Sequence, residues 1–253
     1  MIAGLPMYDL PELRPAHDAL WQGLAAALAD AGVADAPPAL AWATDETALW
    51  AAPDLLLSQT CGYPLRHALA GRIAYVATPC YAAPGCQGAT YASAIVVPIG
   101  SAARDLADLT GARRAVNAPD SWSGRFALDR AVSDAAFPEN VWTGSHAASL
   151  AAVARGDADV AAIDAVTFAL LGRHRPESVA GVRLLAFSQA APALPFVTRP
   201  GGPVAALRRA LRRVVADPAL ADTRAALLLD DVVVLDADAY AVMDETPRAP
   251  VEA

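Results

Sequence analysis

The chain contains no lysine. All 19 of its basic side chains are arginine, set against 27 carboxylates, and the formal net charge is −8. No basic stripe interleaved with aromatics occurs, which argues against nucleic acid as a partner. A small anionic ligand is not excluded, because helix ends and hydroxyl groups hold anions locally against an unfavourable global charge. No apolar run approaches the roughly 18 residues needed to span a bilayer, so direct membrane insertion is not expected. No basic segment followed by an apolar stretch opens the chain. As written it reads as cytoplasmic, and as periplasmic if a leader was removed.

Cysteine is also scarce. Cys61, Cys80 and Cys86 lie close together, without Cys-x-x-Cys spacing and without a nearby histidine cluster, so no metal site is expected. Three reduced thiols are one reading, and a single disulfide, Cys61–Cys86 or Cys80–Cys86, is the other. The sequence lacks a Gly-x-Ser-x-Gly elbow, a Walker loop and a dinucleotide-binding Gly-x-Gly-x-x-Gly. No cofactor and no catalytic constellation are therefore expected. A trio of Ser123, His146 and Asp164 can be written down, but such a trio can be drawn from any long chain.

What the chain does have is a steady alternation of strand and helix signals, which predicts an α/β fold with mostly parallel sheets flanked by helices. Strands are expected at 2–6, 38–43, 54–58, 72–78, 91–98, 113–117, 140–143, 159–163, 182–188, 194–198 and 231–235. Asp54-Leu55-Leu56-Leu57-Ser58 is a continuous apolar run of the kind buried on both faces of a sheet. Helices are expected at 11–31, 103–109, 122–135, 145–155, 164–174, 203–216 and 219–229. The segments 91–98 and 189–195 read as two crossovers between lobes. They divide the chain into lobe one at 1–92 plus 190–244 and lobe two at 93–189. The Pro-containing tail at 245–253 is expected to be disordered.

Two helix entrances carry the chemistry. Asn117-Ala118-Pro119-Asp120-Ser121-Trp122-Ser123-Gly124-Arg125-Phe126 follows an expected strand and opens an expected helix. Trp142-Thr143-Gly144-Ser145-His146 opens the next one. Each sets hydroxyls and unpaired N–H groups at the positive end of a helix, which is an anion cradle. Ser121 and Ser123 could act only as helix caps; Gly124, which permits close backbone approach, favours ligand contact. Asp164 ends the Val160–Ile163 strand, where α/β sheets place their sites, or else simply caps the following helix. Tyr8 lies just after the first strand and is a further candidate. Trp122 is a stacking surface or an interlobe wedge, while Trp21, Trp42, Trp50 and Trp142 read as packing.

These segments resemble the phosphate/phosphite/phosphonate substrate-binding proteins of ABC importers, which have the two-lobed type II periplasmic binding-protein fold. The resemblance runs through Ser58-Gln59-Thr60-Cys61-Gly62-Tyr63, Tyr91–Val97, Asn117–Phe126, Gly144-Ser145-His146 and Gly156–Asp164. It covers about 60–235, and 1–59 more loosely. It implies a monomer whose lobes close over a ligand in the cleft between them. It also implies that Ser121 and Ser123 give hydroxyls to an oxyanion, that the N–H groups of Ser123 and Gly124 point at it, and that Tyr63, Tyr91, His146 and Asp164 complete the site. The family often has a hydroxyl residue where Trp122 stands, and this departure implies a ligand with an organic portion. The expected role is a solute-binding protein for a phosphonate- or phosphate-like oxyanion, working with an ABC permease. The alternatives are a cytoplasmic enzyme on the same fold, similar to chorismate dehydratase, and a ligand sensor.

Overall fold

The computed structural model describes residues 1–42, 45–132, 137–236 and 238–244. The tail at 245–253 lies outside the described residues. The described chain forms two compact units. Unit one holds Met1–Ala82, Gln87–Ala89 and Pro192–Asp244, and unit two holds Ala83–Cys86 and Thr90–Ala191.

Unit one begins with strands β1 (Ile2–Gly4), β2 (Leu55–Gln59) and β3 (Ala74–Tyr81). Unit two follows with β4 (Ser93–Pro98), β5 (Arg113–Val116), β6 (Glu139–Trp142), β7 (Val160–Asp164) and β8 (Val182–Phe187). The chain then returns to unit one for β9 (Phe196–Thr198) and β10 (Leu229–Val233). The helices are α1 (Arg14–Asp30), α2 (Glu46–Trp50), α3 (Gly62–Arg66), α4 (Ala127–Ala131), α5 (His146–Arg155), α6 (Ala165–His174), α7 (Val204–Ala216) and α8 (Ala221–Ala226).

In unit one the strand order is β1-β2-β9-β3-β10. The β1–β2 pair is parallel, and β9 and β10 enter antiparallel. The apolar run of β2 is buried along its whole length, and Leu55 packs with Leu49, Leu69, Ile73 and Val197. Helix α1 turns Leu20, Trp21, Leu24, Ala27 and Leu28 inward at helical spacing. In unit two the order is β8-β4-β7-β5-β6. Here β5, β6 and β7 pair in parallel, while β4 runs antiparallel to its neighbours. Ile95, Val97, Leu128, Phe137 and Val160 fill the interior.

Several expected elements differ, among them the helix expected at 219–229, which ends at Ala226 before β10 begins at Leu229. The 38–43 segment is not a strand over its described residues, because two prolines remove ladder donors. The Trp21 indole N–H donates to the Pro37 carbonyl, and the Gln22 amide donates to that of Pro38, both at 2.9 Å. The expected helix at 103–109 is only a 3₁₀ turn, Leu106–Leu109, closed by the Asp105 and Asp108 carboxylates. The helix expected at 122–135 opens as a π-helical turn, Trp122–Phe126, before α4; residues 133–135 lie outside the described ones.

The disulfide alternative is not realised: no disulfide joins Cys61, Cys80 and Cys86. Cys80 is held in β3 opposite Asp231. Burial, with the Asp164 carboxylate nearby, pushes the Cys86 thiol up to about 12. At pH 8 the thiolate fraction is then on the order of one in ten thousand. Cys86 is therefore expected to resist iodoacetamide in the native protein and to label on unfolding; rapid native labelling, located by peptide mass, would contradict this placement.

Beneath unit two's sheet edge, Arg114 is 2 % exposed and pairs with Asp129 on α4. Its guanidinium also donates to Asn140 and lies 5.0 Å from the Phe137 ring centroid. Burying this pair costs desolvation that its mutual attraction and these further contacts offset. Asp129→Ala should lower the unfolding free energy by about 3–5 kcal/mol, because Arg114 stays buried and loses its paired carboxylate. Urea denaturation reads this, and a change below about 1 kcal/mol would mean that Arg114 reaches solvent or another partner.

Candidate functional site

The parallel register aligns Val116 with Trp142 and Ala115 with Ala161. The carboxyl ends of β5, β6 and β7 thus share one edge of unit two's sheet. Asn117–Gly124 follows β5, Thr143–His146 follows β6, and Asp164 ends β7. Carboxyl edges of parallel strands are where α/β folds build sites.

Ser121 caps the π-helical turn: the Gly124 N–H donates to Ser121 Oγ at 3.0 Å. The N–H groups of Arg125 and Phe126 donate to the Ser121 carbonyl at 3.1 and 3.3 Å. Trp122 and Ser123 precede these bonds, so theirs are the N–H groups that the turn leaves for a ligand. The expectation that the Gly124 N–H points at an anion is corrected, because that group is held by the cap. Glycine is needed there for room. A Cβ would fall 1.6 Å from Asn117 Oδ1. That oxygen is buried without a hydrogen-bond partner, which marks Asn117 as a polar group of the cradle that sequence reasoning passed over.

At the second entrance, Gly144 takes a left-handed φ of 83° and Ser145 accepts from the Ala148 N–H at 3.1 Å. Thr143 Oγ1 bonds the Val116 carbonyl at 3.1 Å and Ser149 Oγ at 2.6 Å. These hydroxyls are engaged in holding the loop. The group that reaches the first entrance is His146, whose Nε2 lies 2.9 Å from Ser123 Oγ. His146 Nδ1 is buried without a hydrogen bond of normal geometry, although the Ala162 carbonyl lies near it. Asp164, 2 % exposed, accepts from the Thr167 N–H at 2.9 Å and so caps α6. Ser123 and His146 therefore form a hydrogen-bonded pair with no carboxylate bonded to the imidazole, and the written trio is not a relay.

The remaining candidates are placed as follows. Tyr91 is buried in the short strand Thr90–Tyr91 of unit two. Trp122 is 3 % exposed, packed on Phe126 with the Arg130 guanidinium over its ring. Its side chain is thus engaged within unit two. Trp142, read as packing, is 53 % exposed one residue before Thr143. In unit one, Tyr63 on α3 stacks against His67 at 4.0 Å. Tyr8 sits edge-on to Tyr81 at 5.3 Å and holds a left-handed φ of 64°, a strain more often kept at binding sites than elsewhere. Among the described residues, no group of three His, Cys, Asp or Glu side chains could hold a metal ion.

Burial pushes the His146 imidazole down to about 4, against the opposing pull of the Ala162 carbonyl. An unfolded histidine titrates near about 6.5. As pH falls, the unfolded state takes up the proton first, so His146 supports stability above pH about 6.5 and loses that support toward pH about 4. The buried His17 is shifted the same way by its own burial. His146→Gln should flatten the decline of stability between pH 6.5 and 4; an unchanged slope in acid-range urea titrations would show an ordinary imidazole.

The family described as "ABC transporter, phosphonate, periplasmic substrate-binding protein" matches residues 53–240. No curated protein matches the chain significantly. Among solved structures, PhnD1 from Prochlorococcus marinus in complex with methylphosphonate superposes with TM-score 0.74 at 14% identity, covering 97% of this chain and 96% of that one. A binding protein component of an ABC phosphonate transporter from Pseudomonas aeruginosa superposes with TM-score 0.71 at 18% identity, covering 96% and 84%. A Xanthomonas citri protein bound to ATP gives 0.71 at 15% identity, covering 97% and 94%. These likenesses confirm the two-lobed α/β periplasmic binding-protein fold. With three quarters of its length matched by the family, the chain is a member of the phosphonate substrate-binding proteins of ABC transporters.

Proposed function

We propose that the chain captures a small tetrahedral oxyanion, a phosphonate or phosphate, at the Ser121–Ser123 turn of unit two, and passes it to an ABC permease. The observation that carries this reading is the 2.9 Å bond between Ser123 Oγ and His146 Nε2 beside two N–H groups left by the π-helical turn. Ser123 offers its hydroxyl proton to a ligand in the imidazole tautomer that donates through Nε2, and in the tautomer protonated on Nδ1, toward the Ala162 carbonyl, that proton goes to Nε2 instead. The Trp122 and Ser123 N–H groups then supply two further donors at the helix's positive end. Ser121 keeps its own proton while its oxygen serves the cap. Asp164 faces the same sheet edge and suits a ligand that brings a proton of its own. Tyr91 in unit two and Tyr8 and Tyr63 in unit one are proposed as further contacts.

Because Trp122 packs on Phe126, its side chain does not call for a bulky organic portion on the ligand, and a compact phosphonate is the favoured cargo. The complex of PhnD1 with methylphosphonate supports that choice. Capture is proposed to proceed by hinge closure of a monomer in the periplasm. No helix of the described residues is long and apolar enough to cross a membrane.

The test is calorimetric titration of ligand-free protein, prepared by unfolding and refolding, with methylphosphonate. Saturable binding is expected, weakened at least about ten-fold by Ser123→Ala, which corresponds to about 1.4 kcal/mol or more. Silence toward methylphosphonate, phosphite and phosphate would overturn the ligand class. Full affinity in Ser123→Ala would overturn the site.

A further inference from the structure

Unit one contains a cavity of about 500 Å³ lined by Ala77, Arg208, Arg212, Val232, Val233 and Val234. Its walls come from α7, from β3, and from β10 at the edge of the sheet together with the residue after it. The size lies within the usual range for small-molecule sites.

The two arginines are one helical turn apart, so their charges repel unless an anion or a hydrogen bond compensates. Each is held by its ε nitrogen. Arg208 Nε donates to the Val76 carbonyl at 2.7 Å, and Arg212 Nε donates to the Arg208 carbonyl at 3.3 Å. The Arg208 guanidinium also lies 6.0 Å from the Tyr75 ring centroid. That ring is fixed in turn by the Leu235 N–H and by Thr78, each 2.9 Å from its hydroxyl. Among the described residues neither arginine has a carboxylate within ion-pair distance, although Arg213 on the same helix pairs with Asp30. The neighbouring Asp231 forms no ion pair with either of them, and its Oδ1 accepts from the Val232 N–H at 2.7 Å. Two oriented guanidinium groups with uncommitted η nitrogens therefore share a hollow with an apolar valine wall. In a chain of net charge −8, this is a local concentration of the opposite sign.

We propose that this hollow is a second ligand site, for a small organic anion with a carboxylate or similar head and a short aliphatic body. The head bridges the η nitrogens of Arg208 and Arg212, and the aliphatic part covers Val232–Val234. Guanidinium groups fit planar carboxylates through paired N–H donors, and pinning at Nε leaves that edge of the fork open. The valines add affinity in proportion to the apolar area covered. The site draws on no residue of the Ser121–Ser123 turn, so it stands apart from the proposed phosphonate reading.

The experiment uses the whole chain, saturated with methylphosphonate, and hexanoate as the probe, followed by calorimetry and by amide NMR. Saturable hexanoate binding is expected, with the largest shifts at Val232, Val233 and Val234. Arg212→Gln should weaken it at least about ten-fold, while methylphosphonate affinity stays unchanged. Arg212 is exposed and its Nε bond lies within its own helix, so this variant should keep the native fold; circular dichroism checks that. Acetate, with the same head and almost no body, should bind more weakly than hexanoate. Absence of hexanoate binding at about 10 mM, well beyond the range of a useful small-molecule site, would overturn the proposal. So would binding that Arg212→Gln leaves intact, or shifts confined to residues outside the cavity.

Discussion

The parallel pairing of β5 with β6 and β7 is the constraint on which the candidate site depends. It fixes the register, and the register fixes where three loops leave the sheet. Only because Val116 stands opposite Trp142 can a serine after one strand meet a histidine after the next at 2.9 Å. A slip of one residue would reverse the faces of β6 and separate that pair. The buried Arg114–Asp129 pair works to the same end, since it ties α4, and the turn before it, to the strand that carries them. The cradle is therefore built by the backbone and locked by the core, with little left for the ligand to organise.

The legible parts of this chain were those written in strong local chemistry. The Leu55–Leu57 run is buried on both sides, as a continuous apolar strand should be. The two helix entrances stood out because serine, glycine and histidine cluster where a strand gives way to a helix, and the fold brings Ser123 and His146 together. What stayed illegible depends on longer-range geometry. Pro37 and Pro38 could be read as ending a strand, but not as carbonyl acceptors for side chains on α1. The π-helical turn has no composition of its own, so nothing local showed that the cap would take up the Gly124 N–H. The inward packing of Trp122 depends on Phe126 and Arg130 closing over it. A tryptophan between two serines reads as a ligand contact in the sequence, and its packing on Phe126 is visible only in three dimensions. Asn117 was visible in the motif, yet its burial against Gly124 is a matter of three dimensions.

The two units divide the chemical labour differently. Unit two concentrates neutral donors: backbone N–H groups, hydroxyls and an imidazole kept uncharged by burial. Unit one carries its free cations on a helix surface, beside valines. Neutral donors at a helix end give geometric recognition that salt screens little, whereas exposed guanidinium groups give attraction that salt weakens. A protein of strongly acidic composition can hold anions by the first means without altering its overall field.

Ser121 Oγ accepts the Gly124 N–H and so has its hydroxyl dipole oriented by the protein before any ligand arrives. An oxygen that already accepts a hydrogen bond is the better donor for it. Its proton stays available to an acceptor on the side away from the cap. In the proposed capture of an oxyanion, such a turn would favour a vertex that offers lone pairs over one that carries a hydrogen. For the proposed tetrahedral guest the cap would then set a rotational orientation, with any protonated vertex turned toward the Asp164 side of the sheet edge.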